Sequence, residues 1–241
     1  MTTSLTDVLK GKNMSEDIIK RAIEGAIPDF YAADAVSLTE AYVAQPKHYD
    51  LPAESVSQQT KEAHLELYNG YVESLNRVAA ELEAVQRVEA NSRSSRYRSL
   101  KQDETYLLNA TYLHELYFAN GFDPSSDVYE SSLACMRLSR DWGDFDRWQR
   151  DFYACALSAR EGWVVTGFNT FLKKYATVFI DGHSASVPVG FYPTIVVDMW
   201  DHASKDFSDK REYIVSQMRE LNWDVIEERF LRAEKIAEAV K

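Results

Sequence analysis

The sequence predicts an α+β protein in which a long α-helical hairpin precedes a C-terminal α/β domain. Apolar residues recur at helical spacing over most of residues 54–120, with a polar break at 91–98. Further along the chain, three short runs are rich in β-branched and aromatic residues and are bounded by glycine or proline, as strands commonly are. The sequence contains no internal repeat. We therefore expect helices first and a small sheet after them.

Residues 1–50 form the first predicted segment, an N-terminal extension of short helices. Ser15 can cap a helix that Pro28 ends. Amphipathic segments of this kind often dock onto a neighbouring subunit. We expect residues 1–50 to be a docking segment for a larger assembly, residues 51–122 to be the helical hairpin domain, and residues 123–241 to be the α/β domain.

The hairpin is predicted from two helical stretches. The first covers residues 54–91 almost without glycine or proline. Its apolar stripe consists of Ala63, Leu67, Leu75, Val78, Leu82 and Val85. The second helix is expected at about residues 106–120, after the Ser/Arg-rich break. Two long helices joined by a polar bend predict an antiparallel pair.

The α/β domain begins after residue 121, where the sequence pattern changes from long helical stretches to shorter helical and strand-like segments. Its predicted elements are helices at residues 128–137 and 145–159, strands at 163–168, 175–180 and 194–197, and helices from Lys210 and from Asp224.

Composition excludes several classes of protein. Hydrophobic residues make up 45% of the 241 residues, enough for a packed core. The net charge of −11 argues against nonspecific nucleic-acid binding, which needs a basic surface. No run approaches the length of a membrane span, and the first residues lack the features of a secretory signal, so we expect a cytoplasmic protein. The number of cysteines does not assign Cys135 and Cys155 to a disulfide, and Cys155 falls on an apolar helical face where a buried thiol is expected.

The acidic charge also bears on the substrate. If the substrate is an anion, the field of the whole protein opposes its approach, and a local basic funnel is needed around the site. Lys205 and Arg160 are the residues that we expect to contribute to such a funnel.

Residues 194–203 carry the clearest functional signal. An apolar, β-branched run ends in Asp198, and His202 follows four residues later. A carboxylate oxygen and an imidazole nitrogen together suit manganese, iron or zinc. The four-residue spacing also places two side chains on one face of a helix, so the pair by itself is only moderately specific.

The same segment resembles the metal-binding signature of iron/manganese superoxide dismutases, Asp-x-Trp-Glu-His-Ala-Tyr. The residues that match are Asp198, Trp200, His202 and Ala203, while Asp201 is a conservative difference and Ser204 replaces the tyrosine. The similarity covers roughly residues 50–235. Three further matches support it: Gly162-Trp163, the Gly-Phe-Tyr-Pro run at residues 190–193, and the Asn-Trp-Asp run at residues 222–224.

The resemblance implies a helical hairpin followed by helices around a three-stranded antiparallel sheet. It also implies one manganese or iron ion per chain and action on superoxide. The family binds its metal with three histidines and one aspartate, one from each hairpin helix and two from the signature. The implied ligands here are His64, His114, Asp198 and His202.

The two hairpin histidines differ in how well they match. His114 is followed three and four residues later by Tyr117 and Phe118, as the family ligand is followed by aromatics. His64 matches the first ligand when residues are counted forward from Ser57. Counted backward from Tyr71, the position of the first ligand falls on Ala63 instead, because the stretch between Ser57 and Tyr71 is one residue shorter than in the family. Gain or loss of a π-bulge produces such a difference. A histidine without a metal stays the alternative for His64.

Two further residues are implied in catalysis. Tyr71 matches the tyrosine at the substrate channel. The family also keeps a glutamine or histidine bonded to the solvent on the metal, and Ala110 occupies the helix position from which some members supply it. His183, in the loop after the second strand, is the other candidate, and a solvated loop histidine is the equal alternative. Trp163 and Trp200 match aromatics that wall the site.

The sequence leaves the function open between two main hypotheses. One is an active superoxide dismutase that acts as a homo-oligomer. The other is a structural or assembly protein on the same fold with an altered or silent site. Tyr68 stands where a channel histidine is expected, and Asp201 is one methylene shorter than the glutamate that reaches the partner's metal-binding histidine in family dimers. A third hypothesis is a different metal oxidoreductase or metal-binding protein on this scaffold.

Overall fold

The computed structural model describes residues 55–121 and 126–240. The predicted extension, residues 1–50, lies outside the described residues, and the domain boundaries stay a prediction. Within the described ranges, two long helices and two shorter ones precede a three-stranded sheet, and three helices follow it.

Helices α1 (Gln58–Ala84) and α2 (Arg96–Asn120) form the predicted hairpin. Serine side chains cap both helices at their N-termini: Ser57 accepts the backbone N–H of Thr60, and Ser95 accepts that of Arg98. Helix α2 begins well before the predicted residue 106 because the Ser95 cap lies inside the polar stretch that we interpreted as a break. Helix α1 ends before the predicted residue 91, and a single 3-10 turn follows at Arg87–Glu89.

The hairpin buries two apolar patches. The first consists of Leu75, Val78 and Leu82 on α1 with Leu100 and Leu107 on α2. The second consists of Tyr68, Val72 and Phe118 and lies nearer the sheet. The start of the predicted stripe on α1 differs from the structure: Ala63 is exposed, and Thr60, His64, Tyr68 and Val72 face inward.

The remaining elements follow the predicted order. Helices α3 (Leu133–Trp142) and α4 (Phe145–Ser158) precede strands β1 (Gly162–Asn169), β2 (Lys174–Asp181) and β3 (Phe191–Asp198), and helices α5 (Asp201–Ser204), α6 (Lys210–Arg219) and α7 (Trp223–Ala239) end the described chain. The sheet is antiparallel in the order β2-β1-β3, which confirms the predicted fold class.

Strand β1 is buried on both faces because it lies in the middle of the sheet between two layers of helix. Trp163 and Val165 pack with Leu113 of α2. Val164 and Phe168 belong to the larger core, which α3, α4, α6 and α7 also line. A strand covered on both sides needs a continuous apolar run rather than an alternating one, and residues 162–168 are all buried.

One glycine brings the loop after β2 close to the start of β1. Gly162 has φ +135°, and a Cβ there would lie 1.9 Å from the carbonyl oxygen of Ile180. Only glycine fits such a position. The N–H of Gly182 donates to the carbonyl of Glu161 at 2.9 Å. The next residue of the loop, His183, is thereby held beside Trp163.

Two general features complete the fold. Among the described residues, every helix is too short or too polar to cross a membrane. Both cysteines are free thiols, and partial burial raises the pKa of Cys155 to about 11.

Candidate metal centre

Four side chains from separate elements converge beneath the hairpin. His64 projects from α1, His114 from α2, Asp198 from the end of β3 and His202 from α5, and their donor atoms all lie within 4.8 Å of one another. Asp198 Oδ2 lies 3.1 Å from His64 Nε2, 3.8 Å from His114 Nε2 and 3.2 Å from His202 Nε2. The structure thus brings together all four residues that the resemblance implied. Ala63 is exposed and does not reach this cluster.

The orientation of two of the imidazoles, those of His64 and His114, turns their Nε2 atoms toward the centre. His114 Nδ1 lies 2.6 Å from the carbonyl oxygen of Ala110. A carbonyl only accepts, so Nδ1 carries the hydrogen and Nε2 offers its lone pair. The Nε2 atoms of His64 and His114 are buried without a hydrogen-bond partner, and His64 Nε2 lies 3.1 Å from Asp198 Oδ2. Buried nitrogens of this kind are costly to leave unpaired. A cation between them satisfies both.

Burial and neighbouring side chains set the protonation of His64, His114 and Asp198. Desolvation lowers the pKa of His64, and it lowers the pKa of His114 to about 3. For Asp198, burial raises the pKa, but the hydrogen bond of His202 and the close approach of the His64 and His202 imidazoles outweigh it and hold the pKa well below its ordinary value. Neutral imidazoles and an ionised carboxylate are the forms in which these groups bind metal. Three nitrogens and one oxygen suit manganese, iron or zinc.

His183 lies beside the cluster and is fully buried. The indole N–H of Trp163 donates to His183 Nδ1 at 2.9 Å, so the ring hydrogen resides on Nε2 and is donated to the hydroxyl oxygen of Tyr71 at 3.2 Å. The amide of Asn109 donates to the backbone carbonyl of His183 at 2.7 Å. This loop histidine is therefore buried rather than solvated, and it contacts Tyr71, the other predicted catalytic residue.

The same surroundings fix the protonation of this pair. Burial lowers the pKa of His183 to about 4. Burial, followed by the nearby Tyr106, raises the pKa of Tyr71 well above its ordinary value. At neutral pH, His183 is therefore a neutral imidazole, and Tyr71 keeps its hydroxyl hydrogen.

Two aromatic residues of the predicted wall lie at the site, and a third was missed. The ring centroid of Trp163 is 4.8 Å from that of His114, and Trp200 is 5.3 Å from His183. Tyr106 packs edge-on against His183 with centroids 4.7 Å apart. Sequence reasoning placed Tyr106 only at the start of a helix. Tyr106 precedes His114 by eight residues, or two steps of four, and this spacing indicated that both lie on the same side of helix α2.

The residues that differ from the family pattern have defined surroundings. Tyr68 is fully buried, and its hydroxyl donates to Glu115 Oε1 at 3.0 Å. Asp201 is exposed, and the side chain of His202 is 28% exposed, so this edge of the cluster is open. Lys205 is exposed nearby, and its charge adds to burial in lowering the pKa of His64. A cation is therefore close to the open edge.

Comparisons with known proteins agree with the site. The family described as iron/manganese superoxide dismutases, C-terminal domain, matches residues 131–229. The chain is 34% identical over 205 residues to the iron superoxide dismutase of Aquifex aeolicus, covering 82% of this chain and 95% of that relative. It is 28% identical over 196 residues to the manganese superoxide dismutase 2 of Haloferax volcanii, covering 80% of this chain and 96% of the relative. The names of the relatives divide between iron and manganese.

Proposed function

The chain belongs to the iron/manganese superoxide dismutase family, and we propose that it converts superoxide to dioxygen and hydrogen peroxide. The proposed ligands of its single manganese or iron ion are His64, His114, Asp198 and His202. One observation carries the proposal: two buried, unpartnered imidazole nitrogens face a buried carboxylate in a cluster whose donor atoms lie within 4.8 Å of one another.

The donor set fits a redox-active ion. Three neutral nitrogens and one anionic oxygen leave part of the charge of a divalent or trivalent cation uncompensated. When bound, manganese or iron supplies one-electron chemistry, accepting an electron from one superoxide and giving it to a second, which leaves as hydrogen peroxide with two protons. Zinc suits the same ligands but has no redox chemistry, so the proposal requires manganese or iron.

The residues of the chain control protons beside this ion. His183 accepts from Trp163 at Nδ1, and its Nε2–H donates to Tyr71. The Tyr71 hydroxyl thus accepts this bond, and it is also hydrogen-bonded to Tyr106, which helps to raise its pKa. Tyr71 is protonated at neutral pH, as any tyrosine is, and its raised pKa holds that proton more firmly. We propose that Tyr71 and His183 together hold a proton at the hydroxyl oxygen of Tyr71 for delivery to the departing peroxide.

The first test is the metal content of protein purified without chelator, measured by mass spectrometry. The proposal expects close to one manganese or iron ion per chain, and superoxide turnover that is lost when the metal is removed and restored by Mn(II) or Fe(II). Zinc alone, or no metal, contradicts it.

The second test addresses the ligands. Asp198→Asn is expected to abolish metal retention, whereas Asp181→Asn, outside the cluster, is expected to keep it. His64→Ala is likewise expected to lose the metal. Adding Ala63→His to that variant moves the imidazole by one position to the exposed face, and metal is not restored. Normal metal content in either His64 variant contradicts the assignment of His64.

The alternative, a structural protein on this fold with a silent site, draws support from the departures at Ala110 and Asp201. It expects a folded protein that neither retains a redox metal nor accelerates superoxide decay. The metal measurement therefore separates the two functions.

We also propose that the chain forms a homo-oligomer through its open edge. The partly exposed His202 and the exposed Asp201 lie there. Light scattering is expected to give a mass above the 27.6 kDa of one chain. An Asp201→Arg variant is expected to lower that mass. A monomeric wild-type protein contradicts the proposal.

A further inference from the structure

The peptide that carries Asp198 is fixed on several sides. Its carboxylate Oδ1 accepts the N–H of Trp200 at 2.8 Å, and the N–H of Met199 donates to the carbonyl of Gly162 at 2.8 Å. Its own backbone carbonyl accepts the hydroxyl of Tyr213 at 2.5 Å. The first two bonds arise from the turn and from the end of the sheet. The third comes from a side chain of another helix, α6.

Tyr213 is rigidly held where it makes this bond. It is fully buried, and its ring packs edge-on against Phe207 with centroids 5.2 Å apart. It lies in the first turns of α6, whose N-terminus Asp209 caps by accepting the N–H groups of Arg211 and Glu212 at 2.7 Å and 2.9 Å. A capped helix and a packed ring leave the hydroxyl little freedom to move.

Loss of this hydroxyl has a definite consequence. The carbonyl of Asp198 is then buried without a partner, which a folded protein avoids by moving the peptide or admitting water. A movement of the peptide displaces a carboxylate whose Oδ2 lies 3.1 Å and 3.2 Å from two imidazole nitrogens, and a water holds the peptide less rigidly than a packed side chain does. His202 follows in the next turn of chain and shifts with it. Binding sites tolerate displacements of only about 0.5 Å in their ligands.

We propose that Tyr213 is a positioning residue for Asp198 and thereby sets the affinity of the site for its metal. The hydroxyl fixes the peptide from which the one anionic ligand projects. This inference rests on the proposed function only in taking Asp198 as a metal ligand, and it does not require turnover of superoxide.

The experiment compares the full-length wild-type protein with Tyr213→Phe and a matched control, Tyr175→Phe. Tyr175 is also buried, at 2% exposure, and its hydroxyl donates to Glu234 Oε1 at 3.2 Å, away from the cluster. Each protein is stripped of metal and titrated with Mn(II) against a competing chelator. The electron paramagnetic resonance spectrum of bound Mn(II) and the urea midpoint of the metal-free protein are recorded alongside.

The expected result is a dissociation constant for Mn(II) that is about 10- to 100-fold weaker in Tyr213→Phe, as for other residues that orient metal ligands. Tyr175→Phe should stay within about twofold of wild type on the same reasoning, since its hydrogen bond orients no ligand. The Mn(II) spectrum is expected to change only in Tyr213→Phe. Equal affinities of wild type and Tyr213→Phe, or equal losses in both variants, overturn the inference.

The outcomes separate this inference from the proposed function. A wild type that binds Mn(II) but does not turn over superoxide refutes the dismutase activity and leaves the comparison of affinities intact. A wild type that binds neither Mn(II) nor Fe(II) overturns both. If Tyr213→Phe does not fold, Tyr213→3-fluorotyrosine replaces it. This variant keeps the ring and strengthens the donor, so the Mn(II) spectrum is expected to shift, and an unchanged spectrum overturns the inference.

Discussion

His183 offers the most direct test of the described geometry, because a solvated loop histidine and a buried one respond differently to truncation. In the structure, the His183 side chain is fully buried, and it is the hydrogen-bond partner of the buried indole N–H of Trp163. His183→Ala removes both the packing of the ring and the partner of the indole. The free energy of unfolding of the metal-free protein is therefore expected to fall.

The magnitude follows from these two losses. An unpaired buried N–H costs about 1–3 kcal/mol. Removing a fully buried ring forfeits roughly another 2 kcal/mol of burial. Some overlap is expected because the site can partly collapse, and we expect a total of about 3–4 kcal/mol. A loss of this size is a large part of the roughly 5–15 kcal/mol that stabilises a typical domain.

Urea unfolding of the metal-free protein at pH 7.5 measures this loss. Ser184→Ala is the matched control, since its side chain is exposed in the same loop and should change stability by no more than about 0.5 kcal/mol. His183→Gln keeps a polar acceptor of similar length and should cost less than about 1.5 kcal/mol. If His183→Ala costs no more than Ser184→Ala, the histidine is solvated and the described position of the loop is wrong.

Tyr71, the buried histidines and Asp206 each give a further prediction. Tyr71→Phe removes the hydroxyl that His183 contacts at 3.2 Å. Superoxide turnover should then fall roughly 10- to 100-fold while the metal content stays unchanged. Unchanged turnover would exclude Tyr71 from proton delivery. The folded-state pKa values of His114 and His183, about 3 and about 4, lie below the ordinary 6.5, so between these values the unfolded chain binds more protons. The contribution of these two histidines to the free energy of unfolding is therefore fully present above pH 6.5. It is lost as the pH falls, by up to about 2.7 kcal/mol per pH unit for two protons. A urea midpoint of the metal-free protein that does not change between pH 7 and pH 5 would refute this. Asp206 accepts the N–H and the hydroxyl of Ser57 at the start of α1; Asp206→Ala should destabilise the protein by about 0.5–2 kcal/mol as the loss of a helix cap does, and no change in the urea midpoint would mean that this contact does not form in solution.

The sheet was predictable because its signals are local. A buried, β-branched run bounded by glycine or proline has few other conformations open to it, and each predicted strand lies inside an observed one. The start of α2 was not predictable by the same means. Residues 91–98 are polar, and polarity alone does not distinguish a loop from the first turn of an exposed helix. The position of the Ser95 cap, three residues before Arg98, was the available signal.

The residues of the site also fall into two groups, those whose position a local pattern predicts and those whose position depends on distant contacts. Asp198 and His202 are four residues apart, so a single turn of chain places both, and their proximity could be predicted from sequence. The burial of His183 depends on Asn109, whose amide binds its carbonyl across 74 residues of sequence. No local pattern reports such a contact, and this is why the solvated alternative stayed open. The roles of these residues as ligands and catalysts stay predictions.

The register of α1 shows how a count of residues can mislead when the backbone geometry changes. Ser57, His64 and Tyr71 are spaced seven residues apart, and seven residues make nearly two turns of an uninterrupted α-helix, so all three lie along one face. Helix α1 is α-helical without interruption from Gln58 to Ala84. At one end of the line, Ser57 binds Asp206, and at the other Tyr71 contacts His183. His64 lies between them with its ring centroid 4.6 Å from that of His202. A count backward from Tyr71 with the longer spacing of the family selects Ala63. In the uninterrupted helix, with Ser57 bound to Asp206 and Tyr71 in contact with His183, it is His64 that faces the cluster.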